Sequence, residues 1–118
     1  MITNARLRIL VVDDDASVAD TISDILRETG FEVTTFYDPL HVVQHALESE
    51  PHAVVTDYSM PNMNGLELAT WLQKLYPACK IVILTGQATV VADQPADSLK
   101  FTLLQKPIPP LALIQAVQ

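Results

Sequence analysis

Five side chains suited to phosphate chemistry stand at the ends of apolar runs. Asp13 and Asp14 follow Arg8-Ile9-Leu10-Val11-Val12, Asp57 follows Ala53-Val54-Val55-Thr56, Thr85 follows Ile81-Val82-Ile83-Leu84, and Lys106 follows the weaker run Phe101 to Gln105. Carboxylates brought within a few ångström repel one another, and a hard divalent cation relieves that repulsion with oxygen ligands. Magnesium suits such a set, because it binds through one or two carboxylates, keeps several waters and leaves room for phosphate oxygens. A carboxylate can attack phosphorus, and that reaction needs in-line positioning and charge neutralisation more than covalent help. Lys106 and the metal would neutralise the phosphoryl oxygens, the Thr85 hydroxyl would donate to one of them, and Gly86 would leave space for the group.

These residues act together only if the fold gathers them. Arg8–Val12 is a short β-branched run that stops at three aspartates, as expected of a strand buried on both faces. Ser17 to Thr29 carries Val18, Ile22, Ile25 and Leu26 at helical spacing and ends at Gly30, a C-terminal cap. Glu32 to Phe36 reads as a second strand. Asp38-Pro39 caps a helix whose apolar residues are Leu40, Val43, Ala46 and Leu47 and which stops before Pro51. Ala53 to Thr56 is a third strand ending at Asp57, and Met60-Pro61-Asn62-Met63-Asn64-Gly65 is a turn-rich loop before a helix striped by Leu68, Leu72 and Leu75. Ile81 to Leu84 and Phe101 to Gln105 complete five strands, and a last helix starts near Pro110. Thr89 to Leu99 has weak periodicity and contains Pro95, so the fourth of five helices is expected there in short or irregular form.

Strands alternating with helices predict an α/β three-layer sandwich with a flavodoxin-like parallel sheet of order 2-1-3-4-5 and helices on both faces. In that order ligands collect at the carboxyl ends of the strands, where the five residues converge. The 118 residues fit one domain, 1–118, and 49% hydrophobic against 18% charged composition places the chain among compact globular proteins. A formal charge of −7 disfavours direct docking to nucleic acid or anionic lipid. The single Cys79 cannot close an internal disulfide, Met1–Asn4 resembles neither a secretory nor a transit segment, and no apolar run approaches the roughly 18–20 residues of a membrane span. The expected setting is the cytoplasm, with no membrane contact.

Asp13-Asp14 after the first strand, Asp57-Tyr58-Ser59-Met60-Pro61-Asn62-Met63-Asn64-Gly65, Thr85-Gly86 and Lys106-Pro107 together resemble the receiver domains of two-component signalling, over almost the whole chain. The resemblance implies a phosphoacceptor domain that takes a phosphoryl group onto Asp57, in the presence of Mg2+, from a histidine kinase or phosphotransfer domain. Asp14, Asp57 and the main-chain carbonyl of Ser59 would bind the metal directly, and Asp13 would act mainly through metal-bound water. Lys106 would pair with the acyl phosphate, Thr85 would move toward it, and the Lys106–Pro107 bond would be cis. Ser59 and Gln87 would flank the attacking water and set the lifetime of the phosphoryl group. Such a domain is a switch for a downstream protein or a fused output domain, with self-phosphotransfer and autodephosphorylation its only reactions. Leu103 departs from the family at a position where many receivers carry a mobile Tyr or Phe. The kinase, the output and the oligomeric state stay open, as does the choice between a complete regulator and an excised module.

Each signal has a plainer reading when taken alone. An acidic triplet suits a helix N-terminus, which is the role expected of Asp15. Gly65 suits a left-handed turn, His41 and His45 a solvated helix face, Trp71 and Tyr76 packing, and Cys79 an inert thiol. Two rivals stand beside the receiver reading. One is an interaction-only pseudo-receiver. The other is a haloacid-dehalogenase-like phosphatase, whose motif Asp13-x-Asp15 resembles but which needs a flap after the first strand and further acids beyond the lysine.

Overall fold

A computed structural model describes residues 6–86 and 101–118. Strands β1 (Arg8–Val12), β2 (Glu32–Phe36), β3 (Ala53–Asp57) and β4 (Lys80–Thr85) alternate with helices α1 (Ala16–Thr29), α2 (Pro39–Glu48) and α3 (Gly65–Leu75), and β5 (Thr102–Gln105) is followed by α4 (Pro110–Val117). All strand pairs are parallel and the order is β2-β1-β3-β4-β5, as the sequence predicts. Gln87 and the segment Thr89 to Leu99 lie outside the described residues.

Alternate residues of each strand point to opposite faces. Ile9, Val11, Val55, Val82 and Leu84 pack beneath α1 and α4, while Leu10, Val12, Val54, Ile81 and Ile83 pack beneath α2 and α3. Every residue of β3 is therefore buried, and any polar residue that ends it is delivered into a desolvated rim. Among the described residues, no helix is long and apolar enough to cross a membrane.

Local chemistry fixes the helix ends. Asp15 Oδ1 accepts from the Ser17 and Val18 amides, and Gly30 closes α1 at φ +108°, a backbone state that favours glycine. Asp38 Oδ1 accepts from the Leu40 amide with Pro39 in the first turn of α2. At α3, Asn64 Oδ1 accepts from the Glu67 amide at 2.8 Å and Glu67 Oε1 accepts from the Asn64 amide at 3.0 Å, a reciprocal capping box.

Some residues of the expected helix stripes turn outward. Leu40 and Leu47 are 45% and 62% exposed, and the buried face of α2 is Pro39, Val42 and Ala46. The packed stripe lies to one side of the one that hydrophobicity alone marks, with Val42 and Ala46 fully buried in the core that holds Leu10, Val12 and Val54. Leu75 is also exposed, at the last turn of α3, whereas Leu68, Ala69 and Leu72 are buried.

Replacing Asn64 by Ala breaks the reciprocal cap and leaves the Glu67 amide without its side-chain acceptor. The expected loss is about 1 kcal/mol of unfolding free energy, read as a lower urea midpoint with an unchanged denaturant slope.

Candidate functional site

The acidic rim is built from the ends of β1 and β3. Asp13 follows Val12 and its amide donates to the Phe36 carbonyl at 3.2 Å, so it continues the line of β1 and stays buried at 1% exposure. Asp14 turns outward and is exposed, and Asp57, the last residue of β3, is 8% exposed. One carboxylate oxygen from each of Asp13, Asp14 and Asp57 lies within 4.8 Å of the others, a cluster that could hold a metal ion.

Lys106 reaches this cluster from the end of β5. Its amide donates to the Thr85 carbonyl at 2.9 Å, anchoring the residue beside β4. Its ammonium stands 2.9 Å from Asp57 Oδ1 and 3.5 Å from Asp13 Oδ2. The peptide bond to Pro107 is cis. Thr85 is buried at the end of β4, one residue beyond Leu84, the register partner of Asp57. Asp13, Asp14, Asp57 and Lys106 thus meet at the carboxyl end of the sheet, at the switch between β1 and β3, and Thr85 ends β4 on the same rim.

Three carboxylates face one ammonium, so the rim holds an excess of two negative charges. Burial pushes Asp13 above the ordinary carboxylate range; the Asp15 amide, which donates to Oδ1 at 2.9 Å, and the Lys106 charge oppose this, while Asp57 and Asp14 add to it. Partial burial by itself would lower the Lys106 pKa, but its bond to Asp57 and the charge of Asp13 outweigh burial and hold it above the usual lysine value. Asp13 Oδ2 is a buried oxygen that, among the described residues, has no hydrogen-bond partner. An excess of two charges, hard oxygen donors and a buried carboxylate oxygen that Lys106 meets at ion-pair distance without a hydrogen bond fit a small divalent cation.

Two site features differ from expectation. Gly65 lacks a left-handed backbone, and the positive φ in the loop belongs to Asn62, at 74°. Gly65 is required by close approach: a Cβ there would lie 2.4 Å from the Asp57 carbonyl oxygen, and its amide donates to the Tyr58 carbonyl at 2.7 Å. His45 is half-buried with its ring edge against Phe36 at 5.4 Å, whereas His41 is exposed as expected.

Several residues hold plainer roles. Leu103 is half-buried and packs with Phe101 on the face covered by α2 and α3, beside its register partner Ile83. Ser59 is exposed in the loop after β3. Trp71 packs on the same core, and the Tyr76 hydroxyl donates to the Ala46 carbonyl. Cys79 is buried, and burial pushes its thiol up to about 12, which fits an inert role. Thr56 carries a contact that sequence reading missed: its buried hydroxyl donates to the Asp57 carbonyl at 2.9 Å. The available signal was a hydroxyl inside an otherwise apolar, fully buried run.

With this geometry in view, residues 9–118 match the family model described as the response regulator receiver domain. The chain belongs to that family. The receiver chain is 33% identical over 114 residues to the DNA-binding response regulator MtrA of Mycolicibacterium paratuberculosis, covering 96% of this chain and 50% of that protein. It is 35% identical over 83 residues to the transcriptional regulatory protein PrrA of Mycobacterium leprae, covering 70% of this chain and 36% of that protein. It therefore spans half or less of these relatives' length. Among solved structures, the chemotaxis response regulator CheY4 of Vibrio cholerae superposes with a TM-score of 0.84 at 26% identity, covering 97% of this chain and 98% of that one.

The Asp13 shift sets a sign for pH dependence. A carboxyl whose folded pKa exceeds its unfolded value binds its proton more tightly when folded, so its contribution to stability falls as pH rises from about 3.8 through the folded value. Asp13→Asn keeps the Oδ1 acceptor and removes the buried charge. Without divalent cations it should raise the thermal midpoint at neutral pH, with the gain vanishing below the ordinary carboxylate range. Gly65→Ala should cost roughly 1–3 kcal/mol in urea unfolding, because its Cβ forces the start of α3 away from Asp57.

Proposed function

We propose that this receiver domain is a phosphorylation switch in which Asp57 accepts a phosphoryl group from a phosphohistidine on a histidine kinase or phosphotransfer domain. The observation that carries the reading is the Lys106 ammonium 2.9 Å from Asp57 Oδ1, inside a cluster that also holds Asp13 and Asp14. Asp57 Oδ attacks phosphorus as the bond to the donor nitrogen, or to the leaving oxygen of a small acyl phosphate, breaks. Lys106 meets the negative charge on the transferred group, and the Thr85 hydroxyl donates to one of its oxygens. Asp14, Asp57 and the Ser59 carbonyl would hold Mg2+ directly, with Asp13 acting through its bound water. When bound, the ion offsets the negative charge that builds up on phosphate oxygens. Water later hydrolyses the acyl phosphate at a rate that the family resemblance assigns to the side chains at Ser59 and Gln87, so the domain resets itself without turning over a separate substrate.

We infer that the output passes through protein contacts, to a downstream protein or a fused domain, in a cytoplasmic setting. Leu103 in place of a mobile aromatic makes the coupling between Thr85 and the output surface depend on aliphatic repacking against Ile83 and Phe101. A net charge of −7 supports an output that does not use this domain to touch nucleic acid directly.

Incubation with acetyl phosphate and magnesium, followed by intact-mass measurement, should show one added phosphoryl group. Asp57→Asn and chelation of magnesium should each abolish it. A folded wild-type chain that gains no mass under these conditions would favour the interaction-only alternative. Mass appearing on Asp13 in the Asp57→Asn variant would favour the phosphatase alternative.

A further inference from the structure

The peptide unit that follows Asp57 is held at both ends. Its N–H, from Tyr58, donates to the Leu84 carbonyl at 2.8 Å, and its C=O, from Asp57, accepts from the Thr56 hydroxyl at 2.9 Å. The next carbonyl, of Tyr58, accepts from the Gly65 amide at 2.7 Å. The Asp57 carbonyl thus leans over Gly65 on one side and is tied to Thr56 on the other.

Thr56 is fully buried on the sheet face that packs against α2 and α3, level with Val12 and Ile83. A hydroxyl at that depth needs a partner, and the Asp57 carbonyl supplies it. Met60 Sδ lies 3.9 Å from the same hydroxyl, a weaker acceptor in the loop that follows. A peptide plane clamped at its N–H alone can tilt about the line joining its Cα atoms; clamped at both ends it cannot. The tilt of that plane fixes the backbone torsion at Asp57 and hence the direction in which its carboxylate leaves the strand.

We infer that Thr56 is a positioning residue for phosphoryl transfer: its hydroxyl locks the Asp57–Tyr58 peptide and so aims the Asp57 carboxylate at the incoming phosphorus. The inference rests on Asp57 being the phosphoacceptor. In the reaction an Asp57 carboxylate oxygen forms a bond to phosphorus while the bond from phosphorus to the acyl oxygen breaks, and the carboxylate of the donor leaves with its electron pair. In-line attack depends steeply on angle, so a small loss of aim lowers the rate without weakening donor binding.

The test compares Thr56→Val, which keeps the shape and removes the hydroxyl, with Thr56→Ser, which keeps the hydroxyl and removes the methyl. Uptake from acetyl phosphate with saturating magnesium is followed by mass across donor concentrations, and hydrogen exchange of the Tyr58 amide is followed by NMR without donor. The expected result is a maximal rate about tenfold lower in Thr56→Val, with an unchanged half-saturating donor concentration and faster Tyr58 exchange. Thr56→Ser should return both readouts close to wild type. If Thr56→Val does not fold, Thr56→Ala against Thr56→Ser carries the same contrast. Wild-type rate and exchange in the variant lacking the hydroxyl, or equal slowing in Thr56→Ser, overturn the inference while leaving the phosphoacceptor reading intact. A wild-type chain that takes up no phosphoryl group overturns that reading and this one with it.

Discussion

The site depends on an imbalance of charge at one rim of the sheet. Asp13, Asp14 and Asp57 crowd within 4.8 Å, and Lys106 is the ammonium placed among them. At an effective dielectric of ~20, two like charges ~4 Å apart repel by on the order of 4 kcal/mol, so one lysine cannot quiet three acids. The remaining negative charge suits a divalent cation, and the Lys106 ammonium lies at ion-pair distance from the Asp57 oxygen proposed as nucleophile. In the proposed reaction the negative excess favours the cation, and the cation together with Lys106 then offsets the charge of the phosphate oxygens.

Maintaining that imbalance requires a scaffold that will not relax. β3 is buried along its whole length, so Asp57 cannot swing away without pulling on both cores. Asp13 is fixed by the Asp15 amide on one oxygen and left without a hydrogen bond on the other, an arrangement that costs stability in the absence of a cation. Around Asp57 the constraint is steric as well as polar: the Gly65 backbone presses on its carbonyl, and the reciprocal cap of Asn64 and Glu67 starts α3 at that point. Stability lost at the acids is offset by the aliphatic layers beneath α1, α2, α3 and α4.

In the proposed switch, Leu103 stands where the family resemblance leads one to expect an aromatic side chain. Leu103 and Phe101 occupy the β5 side of the core shared with α2 and α3, where a branched aliphatic side chain has no polar tip to exchange between buried and exposed positions. Any signal that crosses this region must travel as a change in packing.

The alternation of apolar runs with helical stripes was sufficient to give the five strands, the parallel α/β class and the strand ends that carry Asp13, Asp14, Asp57, Thr85 and Lys106, while the order followed from taking the flavodoxin-like member of the few arrangements that crossover handedness leaves open. The caps at Asp15, Asp38 and Gly30 were legible for the same local reason. Packing decisions were not. On α2 it is Pro39, Val42 and Ala46 that face the core, and Leu40 and Leu47 were left outside. Gly65 could be read as a glycine with a structural role, but only the fold reveals that the role is contact with the Asp57 carbonyl, while Asn62 takes the left-handed turn. Thr56 stood out in the sequence only as a hydroxyl within an apolar run, since a hydroxyl acquires its meaning from the carbonyl it reaches. Sequence determines which groups end the strands; three-dimensional packing decides how each is aimed, because orientation depends on contacts between residues far apart in the chain.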